Sequence, residues 1–174
     1  MTDPNLANRE EAIHQMPDVP YKIIGDIAPS FWDHEQPDDV YRIHDLGSFD
    51  SANETFFSED LTQGVYTHGT VTVGCIQVAA YIGCTEIYLL GVDFSQLINK
   101  RGRDSHFIKN YNAEDSDEDL ECGYLTDEIL QGQMYIGYSA ARKYADTHPP
   151  LKIYNATRGG YLEVFERVNF DSLF

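Results

Sequence analysis

The chain is poor in positive charge. Only 12 of its 174 residues are Lys or Arg, against 29 Asp or Glu, for a formal net charge of −17. Binding a polyphosphate backbone needs a basic face, so this balance argues against a nucleic-acid partner. Cysteine is scarce as well: Cys75, Cys84 and Cys122 are odd in number and lack CxxC spacing. They fit reduced thiols of a cytoplasmic protein better than a disulfide framework or a zinc site. No apolar run approaches the roughly 18 residues of a membrane span. The start, Met1-Thr2-Asp3-Pro4-Asn5, has no basic stretch leading into a hydrophobic one, so nothing suggests secretion. The acidic run Glu114–Glu121 shows neither EF-hand nor DxD spacing and reads as a solvated loop rather than a metal site.

What is present points to a folded domain. A hydrophobic content of 42% with 13% aromatics excludes a disordered chain. The length predicts one domain over 1–174. Tyr21–Ile27 and Val40–Leu46 carry strand patterning, the second nearer an edge. Thr70–Ile82 sets Val71, Val73, Ile76, Val78, Ala79, Ala80 and Ile82 mostly along one helical face, with Gly83 as the stop. Glu86–Asp93 is then nearly continuous in apolar residues, the mark of a strand covered on both faces in a parallel sheet.

Leu97–Gly123 is long, charged and aperiodic. Long loops in compact domains are functional or disordered. Thr126 would cap a helix through Ala145, with Ile129, Leu130, Met134, Ala141, Tyr144 and Ala145 turned inward, and Pro149-Pro150 ending it. Leu151–Asn155 is the last confident strand, and the tail Tyr161–Phe174 packs back on the body. This succession predicts an α/β fold, Rossmann-like, with a mostly parallel sheet flanked by helices. In such sheets ligands bind beyond the carboxyl ends of the strands, where Asp93 lies.

Two stretches carry a resemblance. Thr70-Val71-Thr72, the helix through Gln77 and Ala80, and Glu86-Ile87-Tyr88-Leu89-Leu90-Gly91-Val92-Asp93-Phe94 resemble the MptE-like family, named for an archaeal 6-hydroxymethylpterin diphosphokinase. His106-Phe107-Ile108-Lys109-Asn110-Tyr111 and Ile153–Phe165 are similar to its bacterial members, which occur beside surface-polysaccharide and flagellin-glycosylation genes. More distantly, Gly91-Val92-Asp93-Phe94 and Ser105-His106-Phe107-Ile108 resemble bacterial lipooligosaccharide sialyltransferases. Those enzymes carry a catalytic histidine where this chain has Asn110, and a tyrosine where it has Ser95. Both families also open on a strand and a Gly-Asn-Gly-Pro-Ser-type turn, to which Ile24-Gly25-Asp26 is the nearest approach. The resemblance covers 57–174 as a family-like core, with 1–56 as a weakly matched lead-in, so the chain resembles a partial version of the family, without its first half. An apolar edge left by that half would predict a homo-oligomer.

The resemblance implies a transferase that uses a nucleotide-activated donor or ATP. Asp93 would hold a ribose hydroxyl or a metal-bound phosphate, although the same residue type also serves as a cap or turn former. His106 would act as general acid or base, with Lys109 and Tyr111 contacting phosphate. Asn155, Thr157 and Arg158 form a polar turn in which Gly159-Gly160 would admit a ligand to the backbone and Arg158 would grip phosphate. The competing reading has Arg158 paired with a carboxylate. Thr70 and Thr72 stand at a helix start, where hydroxyls either cap the helix or meet an anion. His44, His68 and the cysteines read as structural. Three functions follow: glycosyl transfer in surface-glycan synthesis, Mg²⁺-dependent pyrophosphoryl transfer from ATP, or a non-catalytic binding or assembly module.

Overall fold

The computed structural model describes residues 19–26, 32–33, 35–47, 56–94 and 127–174. The chain divides into two compact units, Met1–Thr85 and Glu86–Phe174. Each is an α/β assembly built on a parallel sheet.

In the first unit β1 (Lys22–Gly25) pairs in parallel with β2 (Val40–Ile43), Gly25 standing opposite Ile43. The backbone ladder continues past both strands. Asp26 donates its N–H to the Ile43 carbonyl at 3.0 Å, and a parallel bridge joins Asp45 to Val65. The chain therefore lays a third parallel line beside β2 before turning into helix α1 (Val71–Tyr81). Thr70 caps that helix, its hydroxyl accepting the Thr72 N–H at 3.3 Å. At the other end the Cys84 N–H reaches Ala79 and the Gly83 N–H reaches Ala80, with Gly83 at φ +89°. This is the paired closure that a glycine at the left-handed position makes possible. Val73, Ile76 and Gln77 are buried, as are Ile24, Ile43, Phe57, Val65 and Tyr66.

Gln77 is the polar anchor of this unit. It is fully buried, yet its amide makes four bonds. Its Oε1 accepts from the N–H groups of Ser58 (2.9 Å) and Tyr66 (3.1 Å), and its Nε2 donates to the carbonyls of Tyr66 (2.6 Å) and Val73 (3.0 Å). One side chain satisfies main-chain groups of an irregular segment that no ladder reaches.

The second unit orders three parallel strands as β3 (Glu86–Leu89), β4 (Lys152–Asn155) and β5 (Glu166–Arg167). Helix α2 (Asp127–Thr147) precedes β4 and packs on it. Met134, Tyr138, Ala141 and Ala145 are buried at helical spacing. Ile129, expected to face inward, is 49% exposed. Phe165 meets the Tyr138 ring edge-on at 6.1 Å, and Leu162 is buried, so the tail does return to the body. The ladder of β3 stops at Leu89, short of the expected eight-residue strand. Tyr88 and Leu90 are 38% and 55% exposed, so this strand is not covered on both faces as its apolarity suggested. Among the described residues no helix is long and apolar enough to cross a membrane.

Candidate functional site

Polar groups gather where the parallel strands of each unit end. Beyond β3 and β4 the turn 156–161 is fastened almost entirely through main-chain atoms. Asn155, fully buried, accepts the Thr157 N–H on Oδ1 (2.9 Å) and donates from Nδ2 to the Leu162 carbonyl (2.9 Å). Thr157 Oγ1 accepts the Val92 N–H at 3.0 Å and lies 3.4 Å from the Leu89 carbonyl, tying the two strand ends together. Arg167, from β5, donates to the carbonyls of Thr157 (3.3 Å), Gly159 (2.7 Å) and Gly160 (3.0 Å) and to the Glu163 carboxylate (2.8 Å).

Asp93 is drawn into the same turn by its backbone. Its carbonyl accepts the Tyr161 N–H at 2.6 Å. Gly160, at φ +77°, lies so close that a Cβ there would fall 2.6 Å from the Asp93 carbonyl oxygen. The close approach announced by Gly159-Gly160 is thus made, at Gly160, by the chain's own main chain. Arg158 is paired with Asp171 and lies 5.0 Å over the Phe170 ring, its side chain 71% exposed. The competing reading of Arg158 as an ion-pairing residue is therefore the arrangement present. An exposed pair of this kind contributes little to stability.

Of the other residues singled out in the sequence, Thr70 and Thr72 lie in the first unit, joined by the capping bond. His106, Lys109 and Tyr111 lie outside the described residues. The structure thus brings together Asp93, Asn155, Thr157 and Arg158.

A second constellation closes the carboxyl ends of β1 and β2. Asp26 follows β1 and is only 16% exposed. Its Oδ1 accepts the Asp45 N–H at 2.9 Å, and its Oδ2 is bonded to His44 Nδ1. Arg42 brings its guanidinium to 4.0 Å from the same Oδ2 and lies 5.5 Å over the Trp32 ring. Trp32 in turn donates its indole N–H to the Gly25 carbonyl at 3.1 Å. Asp45 accepts from Gly47 N–H (2.8 Å) and from the Thr67 hydroxyl (3.0 Å). Burial works to raise the Asp26 pKa, but the Asp45 N–H, the His44 ring and the Arg42 charge outweigh it and hold the carboxyl below its ordinary value.

No family model, curated protein or solved structure matches this chain.

Function therefore rests on the geometry of these two strand edges. Among the described residues no group of three or more His, Cys, Asp and Glu side chains is placed to hold a metal ion. The first edge offers an exposed guanidinium, paired with Asp171, beside a main chain held in a fixed turn. The second offers an imidazole whose Nδ1 is taken by a carboxylate. His44 read in the sequence as a structural histidine. The signal that would have found it is positional: Gly25-Asp26 and Ile43-His44-Asp45 both end strands, and parallel pairing sets strand ends side by side.

Proposed function

We propose that the chain is a nucleotide-dependent transferase, moving a sugar from a nucleotide-activated donor to a surface-glycan precursor in the cytoplasm. The observation that carries this reading is the turn beyond β3 and β4, where Gly160 seats against Asp93 and Arg158 stands at the rim. Asp93 is an exposed residue beyond the carboxyl end of β3, the side on which such sheets take ribose or sugar hydroxyls. Arg158 exchanges Asp171 for the diphosphate, to which a planar guanidinium bonds in a bidentate manner. As the bond to the sugar breaks, charge accumulates on that diphosphate, and the guanidinium bonded to it stabilises that charge.

Calorimetry with CMP, UDP, GDP and ATP, with and without Mg²⁺, followed by a panel of nucleotide sugars, tests the reading. One nucleotide is expected to bind, with affinity falling at least tenfold in Arg158→Ala. Diphosphate transfer seen only with ATP and 6-hydroxymethylpterin would overturn glycosyl transfer. Failure of a folded, monodisperse sample to bind any nucleotide would overturn the enzyme reading in favour of a binding or assembly module.

A further inference from the structure

We propose that His44, held by Asp26, is a proton-transfer group acting on a hydroxyl-bearing anionic substrate that Arg42 captures. The placement follows from the parallel pairing of β1 with β2. Gly25 stands opposite Ile43, so the next residues on each strand, Asp26 and His44, meet at the sheet's carboxyl edge. An ordinary surface ion pair joins two mobile side chains, whereas here the carboxylate is fixed. Asp26 is 16% exposed, with its backbone N–H on Ile43 and its Oδ1 on the Asp45 N–H. Asp45 is itself held by the Thr67 hydroxyl and the Gly47 N–H.

A carboxylate bonded to Nδ1 fixes the imidazole in one tautomer and orientation, leaving Nε2 to take or give a proton. The His44 side chain is 61% exposed, so the ring is accessible to a ligand. Arg42, 57% exposed and 4.0 Å from Asp26, adds a cation beside it. Trp32 lies under that guanidinium and is anchored by its indole N–H on Gly25, which limits the positions the arginine samples. In a chain of net charge −17, a local cation next to an oriented imidazole selects a substrate bearing both a hydroxyl and a phosphate or carboxylate.

The substrate's O–H bond breaks, its proton passes to His44 Nε2, and the electron pair stays on the oxygen, which becomes the stronger nucleophile. Asp26 balances the imidazolium until the proton is released to water.

The test uses the full chain labelled with ¹⁵N-histidine. Of the 6 histidines, the His44 signals are those that vanish in His44→Gln. The neutral ring is expected as the Nδ1–H tautomer, turning into a mixture in Asp26→Asn; a mixture already present in the wild-type chain would overturn the dyad. Glucose 6-phosphate or glucuronate is expected to shift the Nε2 signal, glucose is not, and Arg42→Ala should abolish the shift. Absence of any shift with both anions refutes the substrate class.

Discussion

Replacing Gly160 with alanine tests whether the turn after β4 is built around the main chain of Asp93. A Cβ at this position would lie 2.6 Å from the Asp93 carbonyl oxygen and 2.7 Å from its Cα. Both are backbone atoms, so no flexible side chain can move aside. Two costs add. The left-handed conformation, φ +77°, costs a residue with a Cβ about 1–2 kcal/mol. The overlap forces a shift of well-packed backbone, typically about 1–3 kcal/mol. Gly159 supplies an internal control, because at φ +76° it bears the same conformational cost but has nothing within 4 Å of its added Cβ. The entropy lost from the unfolded chain is alike in the two variants and cancels. Gly160→Ala should therefore be less stable than Gly159→Ala by about 2 kcal/mol. Urea denaturation followed by far-UV circular dichroism reads that difference. Amide exchange at Tyr161, whose N–H is bonded to Asp93 at 2.6 Å, localises it: protection should fall in Gly160→Ala and persist in Gly159→Ala. Equal destabilisation of the two variants would show that Asp93 does not seat against Gly160.

Gln77→Leu keeps the approximate volume but strands the buried N–H groups of Ser58 and Tyr66 and the Tyr66 carbonyl, so a loss of about 3 kcal/mol or more is expected in urea denaturation. A loss below about 1 kcal/mol would mean that water reaches those groups. The lowered Asp26 pKa means that the folded chain holds that proton less tightly than the unfolded one, so its stabilisation is complete above about pH 4 and fades as pH falls through the folded value. Asp26→Asn should remove this component of acid sensitivity, and a parallel stability–pH curve for the variant would contradict it. Arg167→Lys replaces a fork that spans three carbonyls with a single ammonium; it should cost about 1–2 kcal/mol and speed exchange at Tyr161, and an unaltered exchange rate would count against the clamp.

Elements whose signals are local were legible in the sequence. Helix α1 begins and ends within one residue of its expected bounds, because Thr70 caps it and Gly83 closes it. The prolines after α2 and the apolar run of β4 placed those two elements to within two residues. The strand at Glu86 was read too long because the extent of pairing is set by the partner strand, which the apolarity of one strand does not encode. Its partner β4 ends opposite Leu89, where the Asn155 side chain turns the chain toward Thr157 and Leu162. Ile129 was misplaced because periodicity alone does not say which turns of a long helix have a neighbour. At the candidate sites, Asp93, Thr157 and Arg158 stood out as strand-end residues, and they do share one edge. The Asp26–His44 pair was missed because its information lies in the register of two strands, and no pattern within either strand encodes that register. Arg167 escaped notice because a lone arginine in a polar tail looks like a solvated charge until the carbonyls it caps are in view.

The way the turn after β4 is secured separates folding from recognition. Asn155, Thr157, Gly160 and Arg167 fix its course through backbone atoms, whereas Arg158 and Tyr161 project outward, the latter 56% exposed. Those outward positions behave like interchangeable fittings on a finished frame. A lineage can alter what this edge grips by changing 158 and 161 without solving the folding problem again. The same property makes the loop a natural place to randomise in a selection for new ligands, with the four framing residues left in place.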